Sequence, residues 1–244
     1  MLEEWVTNDE RPLVVVLTGA GISAESGIPT FRDADGLWEG HDVMQVATPE
    51  AFQRDPELVL RFYNLRREAA AKVAPNPGHK ALVELEDDFN VVVITQNVDD
   101  LHERAGSCKV LHLHGKLREV RSSADATLVY DIGDKAVRLG DKCDKGSQLR
   151  PNVVWFGEAV PNYPIAEEIT RYADYLMVVG TSMVVYPAAG LVHYAPGGTP
   201  VYIVNPETPP LGQNANFTPI EENASTGVPK AVELIRRAHA EKQA

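Results

Sequence analysis

Short apolar runs recur along the chain and are separated by longer stretches of mixed polarity. Runs that are apolar at nearly every position predict strands buried on both faces, as in a parallel sheet covered by helices. The predicted strands are 13–17, 90–95, 109–113, 175–180 and 201–205. The stretches between them predict helices at 49–72, 77–87, 98–105, 164–172, 186–194 and 228–241. Strands that alternate with helices indicate an α/β fold with a doubly wound parallel sheet.

Two stretches depart from this alternation. Residues 41–75 form a helical excursion after the first glycine-rich loop, and residues 118–152 are polar with one β-like run at 127–130. We predict that these two insertions together form a small second domain. The remaining segments form the sheet domain: 1–40, 76–117 and 153–244. The Pro- and Asn-rich stretch 205–219 is predicted to be a surface loop.

The charge and the termini limit the classes of partner. The 244 residues carry a formal net charge of −12, which argues against a nucleic-acid partner, because binding to a phosphate backbone relies on clustered Lys and Arg. The N-terminus lacks a basic segment followed by an apolar one, and no apolar run is long enough to cross a bilayer. Two cysteines, Cys108 and Cys143, cannot form a disulfide framework. We therefore expect a cytoplasmic protein with no membrane partner, and we also expect a monomer.

A glycine-rich turn directly follows the first predicted strand. Gly19, Gly21 and Ala24 fit the G-x-G-x-x-G/A pattern, in which backbone N–H groups at the turn approach a dinucleotide pyrophosphate. The pattern predicts a Rossmann-like sheet with a dinucleotide site, but alone it is a weak signal. Its continuation, with Ser26-Gly27 and then Pro-Thr-Phe-Arg at 29–32, is not typical of a dehydrogenase.

Polar residues follow the next two predicted strands. Gln96, Asn97 and Asp99 come after the second strand, at the sheet edge where α/β proteins bind ligands. Asn and Asp at a strand end also serve as helix caps, so the pattern alone leaves both roles open. His112 and His114 share one face of the third strand, and one of them could be a hydrogen-bonded core histidine. The glycine after His114 lets the backbone turn, which favours His114 as a catalytic base.

Six segments together resemble the sirtuins, the NAD-dependent protein-lysine deacylases. They occur in the family's order and spacing and cover nearly the whole chain. The segments are GAGISAESGIPTFRD (19–33), TQNVDDLHERAG (95–106), LHLHG (111–115), VVWFGE (153–158), GTSMVVYPAAG (180–190) and Asn-Pro-Glu at 205–207. The resemblance implies an enzyme that consumes NAD as a co-substrate and acts on acyl-lysine in proteins.

The resemblance also implies a role for each segment. His114 and Asn97 would be catalytic, Asp99 would receive the nicotinamide carboxamide, and Phe31 and Arg32 would lie on the loop that covers the nicotinamide ribose. The implied NAD-contacting residues lie in the glycine-rich turn and its loop, at the strand ends and near the C-terminus: Gly19, Ala20, Gly21, Ser23, Glu25, Ser26, Phe31, Arg32, Gln96, Asn97, Asp99, Gly180, Thr181, Ser182, Asn205, Glu207 and Ala224.

The implied reaction transfers an acyl group to a sugar without transfer of a hydride. The acyl oxygen of a modified lysine attacks C1′ of the nicotinamide ribose, and nicotinamide leaves. His114 then acts as general base on a ribose hydroxyl, which attacks the acyl-derived carbon. The products would be free lysine, nicotinamide and O-acyl-ADP-ribose.

The resemblance assigns the VVWFGE segment to substrate docking. Val154, Trp155, Phe156 and Gly157 would belong to an exposed edge strand that pairs with an extended substrate peptide. The bare sequence could equally form an ordinary buried strand, so this role depends on the family.

Tyr63 and Arg66 are three residues apart in a predicted helix and therefore share one face. Alone, they fit an amphipathic surface helix with its basic residues outward. Within the family, Tyr-x-x-Arg at this place resembles the class III type of bacterial and mitochondrial desuccinylases, in which the pair faces the acyl pocket. A guanidinium fork beside a phenol can hold a carboxylate, which succinyl and malonyl groups carry and acetyl groups lack. We therefore predict desuccinylase and demalonylase activity with some deacetylation.

The chain departs from the family at its metal site. Most sirtuins bind a structural zinc with two C-x-x-C pairs, and such a tetrahedral site needs four ligands. Here the first pair falls in 121–124, which contains no cysteine, and of the second pair only Cys143 is present. We therefore expect no zinc. The second insertion would instead be held by packing of its apolar residues: Leu128, Val129, Tyr130, Val137 and Leu139.

Two other functions remain open from the sequence. An NAD glycohydrolase or mono-ADP-ribosyltransferase would use the same sugar chemistry with water or a protein nucleophile. A module that only senses NAD or ADP-ribose would need no base, so His114 together with Asn97 and Asp99 argues against it.

Overall fold

The computed structural model describes residues 2–6, 10–30, 37–38, 41–181, 188–207 and 216–243. The strands are β1 (Leu13–Thr18), β2 (Leu37–Trp38), β3 (His41–Asp42), β4 (Asn90–Thr95), β5 (Val110–His112), β6 (Gly115–Ser122), β7 (Val129–Asp131), β8 (Leu149–Val153), β9 (Tyr175–Val179), β10 (Val201–Val204) and β11 (Phe217–Ile220). The α-helices are α1 (Glu3–Val6), α2 (Gly21–Ala24), α3 (Val43–Val46), α4 (Pro49–Arg54), α5 (Pro56–Lys72), α6 (Pro77–Leu85), α7 (Leu101–Ala105), α8 (Tyr163–Thr170) and α9 (Ala224–Gln243), and a 3₁₀ helix spans Ala188–Tyr194. Within these ranges, no helix combines the length and apolar character that a membrane span requires.

The large sheet has six parallel strands in the order β11-β10-β9-β1-β4-β5. The chain adds β4 and β5 on one side of β1 and later adds β9, β10 and β11 on the other side. The order therefore reverses between β1 and β9, where doubly wound sheets bind ligands beyond the carboxyl ends of their strands. The predicted Rossmann-like α/β fold is confirmed.

Each face of this sheet packs against its own layer of helices. In β1, Val14 and Val16 point into a core shared with α6 and α9. Leu13, Val15 and Leu17 point into a second core, shared with α8 and the 3₁₀ helix. All five side chains are buried, because a strand sends neighbouring side chains to opposite faces and both faces are covered.

A smaller antiparallel sheet, in the order β7-β6-β8, packs against α5. One apolar cluster in this region contains only three buried residues, Leu60, Val120 and Val137. Of the residues predicted to hold the insertion, Val137 is buried as expected, whereas Val129 and Leu139 are exposed. That part of the prediction is wrong, since their strand and loop have solvent on one side.

Polar contacts join α5 to the small sheet. The side-chain amide of Asn64 donates to the Val137 carbonyl at 2.8 Å, and its oxygen accepts from the Val137 N–H at 2.9 Å. Arg67 is fully buried and donates through Nε to the Leu117 carbonyl. Side-chain hydrogen bonds therefore supplement a small apolar core.

Several predicted boundaries differ from the structure. The helix predicted at 49–72 is interrupted where Asp55 caps α5 by accepting from the Leu58 N–H at 3.0 Å. The predicted loop 205–219 is wrong in its last part, because Phe217–Ile220 forms β11; its proline is tolerated there because β11 is an edge strand.

The strand predicted within VVWFGE ends at Val153. Beyond it, the Val154 N–H donates to the His114 carbonyl at 2.9 Å, and the Phe156 N–H donates to the Ala47 carbonyl at 3.0 Å. The strand conformation predicted for 154–158 is therefore wrong, because the Glu158 N–H donates to the Trp155 carbonyl and closes a turn. The role of this segment in substrate docking stays a prediction. β6 and β8 also run across the predicted domain boundaries at 117 and 152, and the division into two domains stays a prediction.

Candidate functional site

The loops after β1 and β9 meet where the strand order reverses. The Gly19 N–H donates to the Val179 carbonyl at 3.0 Å, and the Gly21 N–H donates to the Gly180 carbonyl at 2.8 Å. A Cβ at Gly21 would lie 2.6 Å from the Gly180 Cα, and a Cβ at Gly180 would lie 2.5 Å from the Ile22 nitrogen. Only glycine fits at these two positions, and bare backbone lines the crevice as close approach of a pyrophosphate requires. We call this surface the glycine cradle.

Ser23, Asn97 and Asp99 form a buried hydrogen-bonded group beside the glycine cradle. The Asn97 amide donates to the Gly19 carbonyl and to the Ser23 hydroxyl, both at 3.1 Å. The Ser23 hydroxyl donates to the Asp99 carboxylate at 3.2 Å. Burial raises the pKa of Asp99, although the hydrogen bonds from Leu101 and Ser23 oppose the shift. The structure thus brings three predicted site residues together at one edge of the sheet.

Other predicted NAD-contacting residues lie around the rim of the crevice. The Glu25 carboxylate accepts from the backbone N–H and the hydroxyl of Ser225, at 2.8 and 2.5 Å, next to Ala224. Asn205 is buried and its amide donates to the Glu207 carbonyl. The loop after α2 is therefore tied to the beginning of α9.

Gln96 and Thr181 connect the end of β4 to the loop after β9. The Gln96 amide donates to the Thr181 hydroxyl at 3.2 Å, and the Gln96 backbone N–H donates to the Thr18 carbonyl at 2.9 Å. Both predicted residues therefore border the same crevice.

Asn76 supports the crevice, and the sequence analysis missed it. Its amide donates to the Ile22 carbonyl at 2.7 Å and to the Ser26 hydroxyl at 3.0 Å. Its oxygen accepts from the Gly78 N–H at 2.9 Å and caps α6. The Asn-Pro pair at 76–77 predicts such a cap, but a local pattern carries no signal for the distant contacts.

A second missed group lies under the ends of β1 and β4. The Thr18 hydroxyl donates to the Thr95 hydroxyl at 2.8 Å and is 3.0 Å from His102 Nε2, while the Thr95 hydroxyl accepts from the Asn97 N–H at 3.0 Å. The ring of His79 lies 4.9 Å from that of His102. Burial lowers the pKa of His79 to about 4 and that of His102 to about 3, so both rings are neutral at pH 7. This buried group supports the backbone of Asn97.

His114 lies between β5 and β6 at the carboxyl edge of the large sheet. Its Nδ1 is 3.0 Å from the Gln96 carbonyl. Because a carbonyl can only accept, Nδ1 carries the proton and the neutral ring has its lone pair at Nε2. Burial lowers the pKa of His114, with partial opposition from this hydrogen bond, so the neutral form prevails at pH 7. Gly115 has a φ of +80°, as the predicted turn requires.

His112 has different surroundings. Its Nδ1 is 3.0 Å from the Asn97 carbonyl, and its Nε2 is 2.8 Å from the Glu103 carboxylate. Both ring nitrogens are therefore engaged with acceptor groups of the protein, and neither is directed at the crevice as a free lone pair. Burial alone would raise the pKa of Glu103, but the hydrogen bond and charge of His112, with Lys116, lower it to about 2. The geometry favours His114 over His112 as a base.

Tyr63 and Arg66 face the protein interior and are buried, which excludes the outward-facing arrangement for this pair. The Tyr63 hydroxyl accepts from Trp155 Nε1 at 2.9 Å. Burial raises the pKa of Tyr63 to about 12 despite the opposing charge of Arg66, so the phenol is uncharged at neutral pH. Of the predicted docking residues nearby, Trp155 is buried and Phe156 is 47% exposed. Tyr63, Arg66 and Trp155 form one buried group, which we call the acyl wall after the role we propose for it.

A model of the Sir2 family matches residues 19–187, a span that includes the glycine cradle, Asn97, Asp99 and His114. The chain belongs to the Sir2 family, the sirtuins. The family resemblance seen in the sequence is confirmed.

This sirtuin is 52% identical over 227 residues to the NAD-dependent protein deacylase of Bacteroides thetaiotaomicron, covering 91% of the chain and 97% of that protein. It is 51% identical over 225 residues to the NAD-dependent protein deacylase of Helicobacter pylori strain 26695, covering 91% of the chain and 98% of that protein. Among solved structures, a mutant Sir2 homologue in complex with ADP-ribose is 41% identical, with a TM-score of 0.84 over 98% of this chain and 96% of that chain. A Sir2 homologue in complex with NAD is 43% identical, with a TM-score of 0.83 over 94% and 91%.

Three of the predicted NAD-contacting residues, Phe31, Arg32 and Ser182, lie outside the described residues of this sirtuin.

The structural zinc of most sirtuins does not fit the residues present here. The Cys143 thiol donates to the Ser122 hydroxyl at 3.3 Å, and the Cys143 N–H donates to the Ser147 carbonyl at 2.8 Å. Across the described ranges, no three His, Cys, Asp or Glu side chains come together as a metal-ligand group. One thiolate is too few for a tetrahedral site. That this sirtuin lacks zinc stays a prediction.

Proposed function

We propose that this sirtuin is an NAD-dependent protein-lysine deacylase that prefers succinyl and malonyl groups and retains some deacetylation. The observation that carries the proposal is His114, a neutral imidazole oriented by the Gln96 carbonyl at the edge of the crevice. Relatives about half identical to this chain are named NAD-dependent protein deacylases. A solved Sir2 variant that is 34% identical is in complex with a deacetylated peptide and an acetyl ADP-ribose.

NAD would bind in the crevice as a co-substrate and supply the ribose to which the acyl group is transferred. The glycine cradle would allow its pyrophosphate to approach the backbone closely. Asp99, buried and held by Ser23, would receive the carboxamide of nicotinamide. Asn97 would keep the site assembled, because its amide holds both the Gly19 carbonyl and the Ser23 hydroxyl. The other NAD contacts predicted from the sequence remain part of this proposal.

His114 would remove a proton from a ribose hydroxyl through Nε2. As that proton arrives, the ring becomes an imidazolium whose Nδ1–H already donates to the Gln96 carbonyl at 3.0 Å. The carbonyl thereby orients the ring and stabilises its charged form. Positioned general-base catalysis of this kind contributes about 10²–10⁴-fold to a rate.

The acyl wall would select the acyl group. Arg66 is 8% exposed and Tyr63 is fully buried, so a carboxylate between them would lose most of its water. Charge-assisted hydrogen bonds from a guanidinium are strong in such surroundings. A succinyl or malonyl group brings this carboxylate, whereas an acetyl group brings none.

The substrate peptide would dock in extended form along Val154, Trp155, Phe156 and Gly157. Phe156 is the most exposed large side chain of this loop, which suits contact with a bound peptide. We further propose that the two insertions form a separate small domain and that the protein is a cytoplasmic monomer.

One peptide carrying acetyl-, malonyl- or succinyl-lysine tests this function with NAD. We expect kcat/KM to be higher for the two acidic acyl groups and O-acyl-ADP-ribose to be the product. Arg66→Met should lower the succinyl-to-acetyl ratio by roughly 10- to 100-fold, the range expected for a lost hydrogen bond to a charged group.

Arg61→Met is the matched control, because Arg61 lies on the same helix but is exposed. It should leave the ratio unchanged. Release of free ADP-ribose without lysine deacylation would instead indicate an NAD glycohydrolase. An Arg66→Met enzyme with an unaltered ratio would exclude Arg66 as the group that recognises the acyl carboxylate.

A further inference from the structure

Arg150, in β8, lies behind the acyl wall, and its guanidinium is contacted along one edge and on one face. It donates to the two oxygens of Glu158 at 2.7 and 3.0 Å and to the Val153 carbonyl at 2.9 Å. Its central carbon lies 3.4 Å from the centre of the Trp155 ring. A forked ion pair along one edge and an aromatic ring against one face fix the plane of the guanidinium, and with it the indole.

Trp155 connects Arg150 to Tyr63. The Trp155 backbone N–H donates to Glu158 at 2.8 Å, and its indole N–H donates to the Tyr63 hydroxyl at 2.9 Å. Trp155 and Tyr63 are both buried, so water does not compete for these bonds. The position of the Tyr63 hydroxyl therefore depends on the position of the indole.

The direction of the Trp155–Tyr63 bond determines what the phenol can do. An indole N–H can only donate, so the Tyr63 oxygen accepts and its own proton remains available for donation. The phenol is uncharged at neutral pH because burial raises its pKa to about 12. A neutral hydroxyl that already accepts one hydrogen bond is a suitable donor to a carboxylate.

We propose that Arg150 is a positioning residue for the selection of acidic acyl groups. By holding Trp155, it keeps the Tyr63 hydroxyl directed towards the acyl carboxylate beside Arg66. The inference rests on the proposed acyl preference and extends it to a residue behind the pocket, in the small sheet.

Two arginine-to-lysine variants distinguish the effect of the guanidinium's geometry from the effect of its positive charge. Arg150→Lys keeps the positive charge but loses the fork and the planar stacking on Trp155. Arg121→Lys is the matched control, because Arg121 donates to the same Glu158 carboxylate at 2.8 Å, whereas the stacking on Trp155 belongs to Arg150.

We expect Arg150→Lys to raise KM for the succinyl peptide about fivefold, within the range for one misplaced hydrogen bond. Its kcat for the acetyl peptide should stay close to wild type, and its KM for that peptide should rise less than its KM for the succinyl peptide. Its melting temperature should fall, because the fork to Glu158 is lost. Arg121→Lys should leave the succinyl KM unchanged. In a Tyr63→Phe background, Arg150→Lys should have no further effect on the succinyl KM, since the hydroxyl through which it acts is gone.

An Arg150→Lys effect that is equal for both peptides, or that persists with Tyr63→Phe, overturns the inference. If Arg150→Lys does not fold, Trp155→Phe replaces it in the test, since it removes the indole donor. Trp155→Phe should lower the succinyl-to-acetyl ratio in the enzyme with Tyr63 but not in the Tyr63→Phe enzyme. An equal loss in both enzymes also overturns the inference. If the preference for succinyl over acetyl is lost in Arg66→Met but kept in Arg150→Lys, the inference about Arg150 is overturned and the proposed acyl preference stands. A wild-type enzyme without any succinyl preference removes the proposed acyl preference itself.

Discussion

The large and small sheets of this sirtuin are stabilised by different interactions. The strands of the large sheet are buried in two extensive apolar clusters, one on each face. The small sheet contributes Val120 to a cluster of three buried residues, and Leu117 and Val153 to a larger cluster around α5. Polar pairs, such as Asn64 with Val137 and Arg150 with Glu158, join the sheet and its loops to their neighbours. The large sheet thus resembles a continuous core, whereas the small sheet depends on individual contacts. In the proposed function, the first holds NAD and the base, and the helix α5 that packs on the second carries Tyr63 and Arg66, which select the acyl group.

The largest effect is expected at the edge of the large sheet. His114→Ala should reduce kcat by about 10²–10⁴-fold, the usual contribution of a positioned general base. The reduction should be similar for succinyl and acetyl peptides, because the base acts after the acyl group has been selected. NAD binding, measured by calorimetry, should remain close to wild type. Deacylation at the wild-type rate, or a loss confined to one acyl group, would contradict the assignment.

The buried histidines His79 in α6 and His102 in α7, beside the large sheet, predict a dependence of stability on pH. The folded-state pKa of His79 is lowered to about 4 from an ordinary value of 6.5, so its contribution is complete above pH 6.5 and is lost as the pH falls towards 4. By linkage, one such group accounts for about 2–3 kcal/mol of the free energy of unfolding between these limits. Urea titrations between pH 7 and 4.5 should show the decline.

His79→Gln should make that decline shallower, whatever it does to stability at pH 7, because the variant has no imidazole to protonate at this position. The decline should not disappear, since His102, whose pKa is also lowered, still contributes to it. His193, which is exposed, provides the control, and His193→Gln should leave the slope unchanged. An equal slope in the wild type and in His79→Gln would show that other groups cause the decline.

Two matched valine-to-alanine substitutions compare the cost of a cavity in the two sheets. Val15 in β1 and Val120 in β6 are both fully buried, and both lose the same atoms on substitution by alanine. Val15→Ala should cost about 2 kcal/mol of unfolding free energy, and Val120→Ala about 1 kcal/mol, because the smaller cluster can collapse more readily around the cavity. Urea denaturation with unchanged m-values measures both. Equal costs would mean that the small sheet is packed as rigidly as the large one.

The difference between the apolar large sheet and the more polar small sheet also determines what the sequence could predict. The apolar runs that became β1, β4 and β9 identified the large sheet, because their pattern reflects burial on both faces. Glycines that must lie close to another backbone, such as Gly21, were visible as a motif. The contacts of Asn76 with Ile22 and Ser26 were not visible, because a hydrogen bond between segments 50 or more residues apart leaves no local pattern.

The small sheet and the helix α5 packed on it show the opposite case. Tyr63 and Arg66 were predicted from family resemblance, since their helix alone fits a surface face as well. The loop at 154–158 was predicted as an edge strand from family resemblance, yet it forms a turn, and its Phe156 N–H donates to the Ala47 carbonyl. Arg150 gave no signal in the sequence, because its role depends on Trp155 and Glu158 lying on either side of it in space.

The smallest expected effect concerns the position where other sirtuins bind zinc. Here the Cys143 thiol donates to the Ser122 hydroxyl, so this side chain joins the loop before β8 to the end of β6 by a single hydrogen bond of modest net value. Exhaustive chelation should therefore leave the melting temperature and the deacylation rate unchanged, and Cys143→Ser should cost less than about 1 kcal/mol. Metal analysis that finds one zinc per chain, with a melting temperature that falls on chelation, would contradict this. In that case a metal, and not only the polar contacts of Asn64 and Arg150, would stabilise the small sheet.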